Sequence, residues 1–157
     1  MSSVQPKPLI VQPGAGEVLH AFGNVLTLTL SGEQTASTIS VMSECTPPGG
    51  GPPLHVHSRE DEIFLVVEGR LSYYADGQWT EVGVGGAVYL PKGCAHCYRN
   101  MGTAPSRHWI ITAPSGFEKF FASCAQEFSK AGGPVQERIV EIHQDYGIEL
   151  LKEEAGR

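Results

Sequence analysis

His55 and His57 stand one residue apart, and Glu62 follows five residues later in the stretch GGGPPLHVHSREDEIFLVVEG. On a strand, residues i and i+2 point to the same face, so both imidazoles aim at one point. A turn through residues 58–61 returns the Glu62 carboxylate to that face. His96 comes much later, in GGAVYLPKGCAHCYRN. Three imidazoles and one carboxylate converging inside a barrel make a site for a divalent transition metal. Plainer readings stand beside this one. A lone buried histidine is usually a hydrogen-bonded core residue, a glutamate at a strand start is usually solvated, and an H-x-H pair beside a Pro/Gly turn fits either account.

The elements that must position these residues are short strands. Gly is 19 and Pro is 11 of 157 residues, which favours many strands joined by turns over a helical bundle. Residues 17–22 and 25–30 flank a turn at Gly23–Asn24, and VLTLTL alternates with period 2. Residues 36–45, a strand from about Leu54, and residues 62–67 follow. Residues 71–75 and 78–82 flank Asp76-Gly77, a type I′ hairpin signal. Residues 87–90, 95–100 and 107–112 complete the series. The tail changes period. Phe117, Phe120, Phe121, Cys124 and Phe128 share one face of a helix, read as core packing, with Ser115 and Glu118 as its capping box. Val135, Ile139, Ile142 and Tyr146 mark a second helix closed by Gly147. The expectation is one domain over residues 1–157: a flexible leader at 1–16, a β-barrel at 17–113 and a helical tail at 114–157.

Within this frame the sequence resembles the cupin superfamily. Its first motif, G-x5-H-x-H-x3,4-E-x6-G, is met at Gly49, His55, His57, Glu62 and Gly69. Its second, G-x5-P-x-G-x2-H-x3-N, is met at Gly85, Pro91, Gly93, His96 and Asn100. The resemblance implies an all-β fold, a cupin double-stranded β-helix or jelly-roll-like barrel, here with a C-terminal pair of short α-helices. It also implies one divalent transition metal ion per subunit (Fe, Ni, Co, Mn, Cu or Zn), held by His55, His57, Glu62 and His96. The GPPLHVHSREDE string, the SGFEKFF helix and the Tyr146-Gly147-Ile148 segment resemble the quercetin 2,3-dioxygenase-like members. That resemblance implies a dioxygenase acting on a small aromatic or enolisable substrate and O2. Glu62 is the candidate catalytic residue, either remaining a ligand or swinging off the metal to act as base. Strand alternation adds Phe64, Val66, Tyr98 and Asn100 as pocket wall. A non-catalytic binding cupin and a cupin isomerase or lyase are the alternatives.

Composition bounds the partners. Lys plus Arg is 11 against 17 Asp plus Glu, a net charge of −6 with no basic cluster, which argues against nucleic acid or an anionic membrane. No apolar run reaches signal-peptide or membrane-span length, so a cytoplasmic location is expected. Cys94 and Cys97 form C-x-x-C around His96, but ahead of a strand and without a second pair. With Cys45 and Cys124 they are read as reduced structural thiols. A homodimer is expected, with residues 17–30 as the contact, because open strand edges need cover. No motif places His20, His108 or His143.

Overall fold

The computed structural model describes residues 6–152, so the first five residues of the expected leader and the last five of the tail lie outside it. Eleven strands and two helices are formed among the described residues: β1 (Glu17–Ala21), β2 (Asn24–Leu30), β3 (Ser40–Thr46), β4 (His55–His57), β5 (Asp61–Glu68), β6 (Arg70–Ala75), β7 (Gln78–Gly83), β8 (Ala87–Leu90), β9 (His96–Arg99), β10 (Ser106–Ala113), α1 (Phe117–Phe128), α2 (Gln136–Asp145) and β11 (Ile148–Leu150). A six-stranded sheet has the order β1-β2-β3-β10-β5-β8, and a five-stranded sheet the order β11-β4-β9-β6-β7, with every pairing antiparallel. The inward residues Leu26, Met42, Phe64, Leu71 and Ile110 fill the interior between them. This is the all-β jelly-roll-like barrel with a pair of helices near its C-terminal end.

Turn chemistry decides several boundaries. Asp76 and Gly77 both have positive φ, 51° and 78°, so the Asp-Gly pair makes the two-residue hairpin turn. The β1–β2 turn falls one residue earlier than expected, on Phe22 (φ 55°) and Gly23 (φ 78°). Asn24 is already the first residue of β2, paired with Ala21, and its side-chain amide donates to Glu44. The strand expected from residue 36 starts at Ser40, because Ala36 (φ 53°) and Ser37 (φ 62°) are left-handed and cannot join a ladder.

The tail closes over one end of the barrel. Helix α1 buries Phe117, Phe120, Phe121 and Cys124. Its cap is Gly116, not Ser115. Glu118 still bends back, but its Oε2 accepts from the Gly116 N–H (2.6 Å) and its Oε1 from the Gly32 N–H (2.8 Å). The carboxylate therefore ties the helix start to the loop after β2. Helix α2 ends where Gly147 takes φ 70° as its C′ residue. The chain then enters β11, which the sequence did not announce. It pairs Ile148 with His57 and Leu150 with His55, and so covers the free edge of β4.

Asn100 is not the pocket-wall residue expected. It is fully buried, and its side chain holds loops together. Its Nδ2 donates to the carbonyls of Thr46 (3.0 Å) and Ala104 (2.8 Å), and its Oδ1 accepts from the Gly102 N–H (2.9 Å). Its backbone exchanges hydrogen bonds with Gly49 and Gly50, which docks the Pro/Gly segment beside β9. Asn100→Ala leaves these buried groups unmet, so urea unfolding should show a loss of about 2 kcal/mol. Metal content should not change. Unaltered stability, or a loss of metal at full stability, would contradict this assignment.

Candidate metal centre

Strand β4 is three residues long, His-Val-His, and alternation buries both imidazoles on one face. His96 opens β9, the neighbour of β4, and pairs directly with His55. Glu62 lies on β5 in the opposite sheet, so the cluster is assembled across the barrel. The turn ahead of His96 is docked on β4, because the Gly93 N–H donates to the His57 carbonyl at 2.8 Å. The sequence spacing thus becomes one constellation: His55, His57, Glu62 and His96 each offer an atom, all within 4.8 Å of one another, and all four are buried.

The hydrogen bonds behind the rings decide what faces inward. His55 Nδ1 lies 2.8 Å from the Pro53 carbonyl and His96 Nδ1 lies 2.9 Å from the Cys94 carbonyl. A carbonyl only accepts, so each Nδ1 carries the proton and each neutral ring turns an Nε2 lone pair inward. There, His55 Nε2 is 3.1 Å from His57 Nε2, and Glu62 Oε2 is 2.8 Å from His96 Nε2 and 3.4 Å from His57 Nε2. Lone pairs at these distances repel unless a proton or a cation stands among them. The donor set, three neutral imidazole nitrogens and one carboxylate oxygen, suits a divalent transition metal.

The titration behaviour agrees. Burial, helped by the charges of His96 and His57, pulls His55 down to about 3, so it stays a neutral donor. Burial alone raises the Glu62 carboxyl, but the charge of His57 and the bond to His96 outweigh it and leave a carboxylate. Burial alone lowers His96, but Glu62 outweighs that, and its pKa is raised.

Two neighbours of the cluster were not expected. Glu60 is buried with Oε2 3.6 Å from His57 Nδ1, a carboxylate placed to orient that ring. Asp61 faces out instead, accepting from the Lys92 N–H and the Tyr89 hydroxyl, and anchors the turn before Glu62. The alternation of β5 signals the outward side of Asp61 but not the role of Glu60, which precedes the strand.

The cluster opens into a cavity of about 90 Å³ with mostly apolar walls. Phe64 and Tyr98 line it, together with His55, His57 and Glu62 of the cluster. Val66 does not. It is buried one step deeper on β5, opposite His108. Phe117, Phe120 and Phe121 also line the cavity, so the helical stripe read as core packing is core and cavity wall together. The Phe117 ring stands edge-on to His57, with centroids 4.5 Å apart. His143 lines the cavity from α2, its ring bonded to the Ile139 carbonyl, and burial lowers its pKa. His108 is fully buried beside Tyr73, and His20 is exposed.

A polar group at the cavity floor escaped the sequence reading. Glu44 on β3 is fully buried, and its Oε1 accepts from Tyr98 (2.5 Å), Thr46 (2.8 Å) and Asn24 (3.0 Å). The signal was present: Ser40, Met42, Glu44 and Thr46 alternate inward, which sets a carboxylate in register with a core methionine.

Comparison with known proteins agrees on the fold. Residues 42–111 match a family model described as a cupin domain. Over 121 residues, 77% of the chain, the sequence is 23% identical to a quercetin 2,3-dioxygenase of Bacillus subtilis (strain 168), and the match spans only 36% of that protein. The structure of KdgF from Halomonas sp. superposes with a TM-score of 0.63 at 15% identity, covering 71% of this chain and 99% of that one. The polyketide cyclase RemF from Streptomyces resistomycificus gives 0.59 at 21% identity, covering 69% and 81%.

Chelator competition on purified protein should find one divalent ion per chain. His57→Ala should abolish stoichiometric binding, and Glu60→Ala should weaken it about 10- to 100-fold. Affinity should fall as pH is lowered, because protonation of His96, whose pKa is raised, competes for the same lone pair. Unchanged affinity in His57→Ala would contradict the site.

Proposed function

The chain carries a cupin domain, and from that premise we propose that it is a metal-dependent oxygenase acting on a small aromatic or enolisable substrate. The observation that carries the reading is the His3Glu cluster opening directly into an aromatic-walled cavity. A divalent ion held by the four residues would supply Lewis acidity toward a phenolic or enolic oxygen and, where redox-active, electrons for O2.

Size and polarity narrow the substrate. An engineered apolar cavity of about 150 Å³ takes one benzene ring. The cavity here, about 90 Å³, suits one small ring or a short enol. The quercetin in the name of the Bacillus subtilis relative is a larger molecule than one small ring. The apolar walls disfavour a sugar isomerase, whose site needs many hydrogen-bonding groups to recognise hydroxyls.

The chain's own residues have defined tasks in this reading. Glu62 is a buried carboxylate lining the cavity, and in this reading it accepts the proton of a substrate hydroxyl or enol. The Pro53 and Cys94 carbonyls fix the rings of His55 and His96. Phe117, Phe120 and Phe121 keep bulk water off the cluster.

An oxygen electrode with metal-loaded protein and a panel of catechols, enediols and small 1,3-diketones tests this. Uptake should occur with one of these classes. Gln at position 62 still offers a carbonyl oxygen but accepts no proton, so Glu62→Gln should keep part of its metal and lose ~10²–10⁴-fold in rate per bound ion. An unchanged rate per ion would remove the base role. No uptake across the panel by fully loaded protein would remove the oxygenase reading and leave the metal site standing.

A further inference from the structure

The cavity has a second polar pole that the metal cluster does not use. Glu44 lines it, and the two carboxylates stand at different levels of the barrel. On β10, His108 pairs with Glu44 and Thr112 with Glu62, four residues apart, so the backbones are separated by roughly 13 Å along the strand at about 3.3 Å per residue. Phe64 and Tyr98 line the same cavity.

The donors around Glu44 all meet one oxygen. Tyr98, Thr46 and Asn24 donate to Oε1, and His108 Nε2 lies 3.6 Å from the same atom. The other oxygen, Oε2, is buried and has no hydrogen-bond partner among the described residues. The same is true of Asn24 Oδ1, whose residue also lines the cavity. Two buried acceptors beside an apolar space lack a donor, and a buried acceptor left unmet costs free energy. The carboxylate form is favoured. Burial alone raises the Glu44 carboxyl, but His108 and the hydroxyls of Tyr98 and Thr46 outweigh it and hold the pKa below the usual range.

We propose that Glu44, with Asn24 beside it, is the second anchor of the ligand: its Oε2 accepts a hydrogen bond from a hydroxyl on a small aromatic or enolic molecule whose other end faces the histidine cluster. The proposal rests on the cavity being the ligand site and deepens that reading, since it requires a hydroxyl donor remote from the metal-facing oxygen. A neutral hydroxyl suits Glu44 because the charge on the carboxylate is already met by three donors and the His108 ring. An acceptor such as an ether oxygen is repelled there.

The test is 19F NMR titration of the zinc-loaded full chain with 4-fluorophenol and 4-fluoroanisole, in which the donor is methylated. Wild type should bind the phenol about 10- to 100-fold more tightly, the value of a hydrogen bond to a charged group. Glu44→Gln puts an amide where the charge was and should erase most of that preference, with zinc content intact. Glu44→Asp, which keeps the charge but withdraws it by one methylene, serves the same purpose if the amide disturbs folding. His57→Ala should lose zinc yet keep the phenol preference. A preference lost in His57→Ala but kept in Glu44→Gln would place the hydroxyl at the histidines and overturn the proposal. Equal binding of the two probes to wild type would overturn it too. Binding of neither would remove the cavity as a ligand site, while zinc content would still report separately on the metal centre.

Discussion

The repulsion among three inward lone pairs and one carboxylate is the constraint around which the barrel is built. Left to itself, a chain would not bring Glu62 Oε2 within 3.4 Å of two imidazole nitrogens, with a third imidazole 3.1 Å from one of these. The cluster persists because the backbone carbonyls of Pro53 and Cys94 fix the tautomers and because the strands bearing the rings are pinned on both sides. Strand β11 covers one edge of β4, and β9 the other. The Gly93 N–H ties the second motif to the His57 carbonyl. The geometry is prepaid by the fold, and a cation relieves the repulsion that remains.

Other parts of the molecule serve the same centre at a distance. Gly51 has φ 139°, and a Cβ there would run into the Tyr98 carbonyl, so the Pro/Gly segment passes β9 only as glycine. Asn100 locks that segment to the loop beyond β9. Glu118 joins the start of α1 to the loop after β2, which fixes the aromatic roof over the cavity. Among the described residues, no helix is long and apolar enough to cross a membrane.

What the sequence made legible followed from period and spacing. H-x-H on a strand fixes two imidazoles on one face whatever the fold, and the turn residues at Asp76-Gly77 force their hairpin. The ten fixed motif positions carried the barrel. Less legible were features that depend on partners remote in sequence. Three residues of β11 are too few to show periodicity, and they are a strand because β4 has an open edge. Ala36 and Ser37 look like strand residues until their φ values are seen. Asn100 obeys alternation yet is drawn to carbonyls at the end of β3 and on the loop beyond β9. Glu44 sat in plain alternation, but a carboxylate inside a barrel only makes sense once Tyr98, Thr46 and Asn24 are found around it.

X-ray absorption at the metal edge tests the central claim most directly, on protein loaded with one equivalent of zinc or iron. The account predicts three imidazole nitrogens and one carboxylate oxygen in the first coordination sphere, at about 2.0–2.2 Å for zinc. The imidazole scattering should fall by one ring in His96→Ala. A spectrum dominated by sulfur from Cys94 or Cys97, or one with no imidazole scattering, would contradict it.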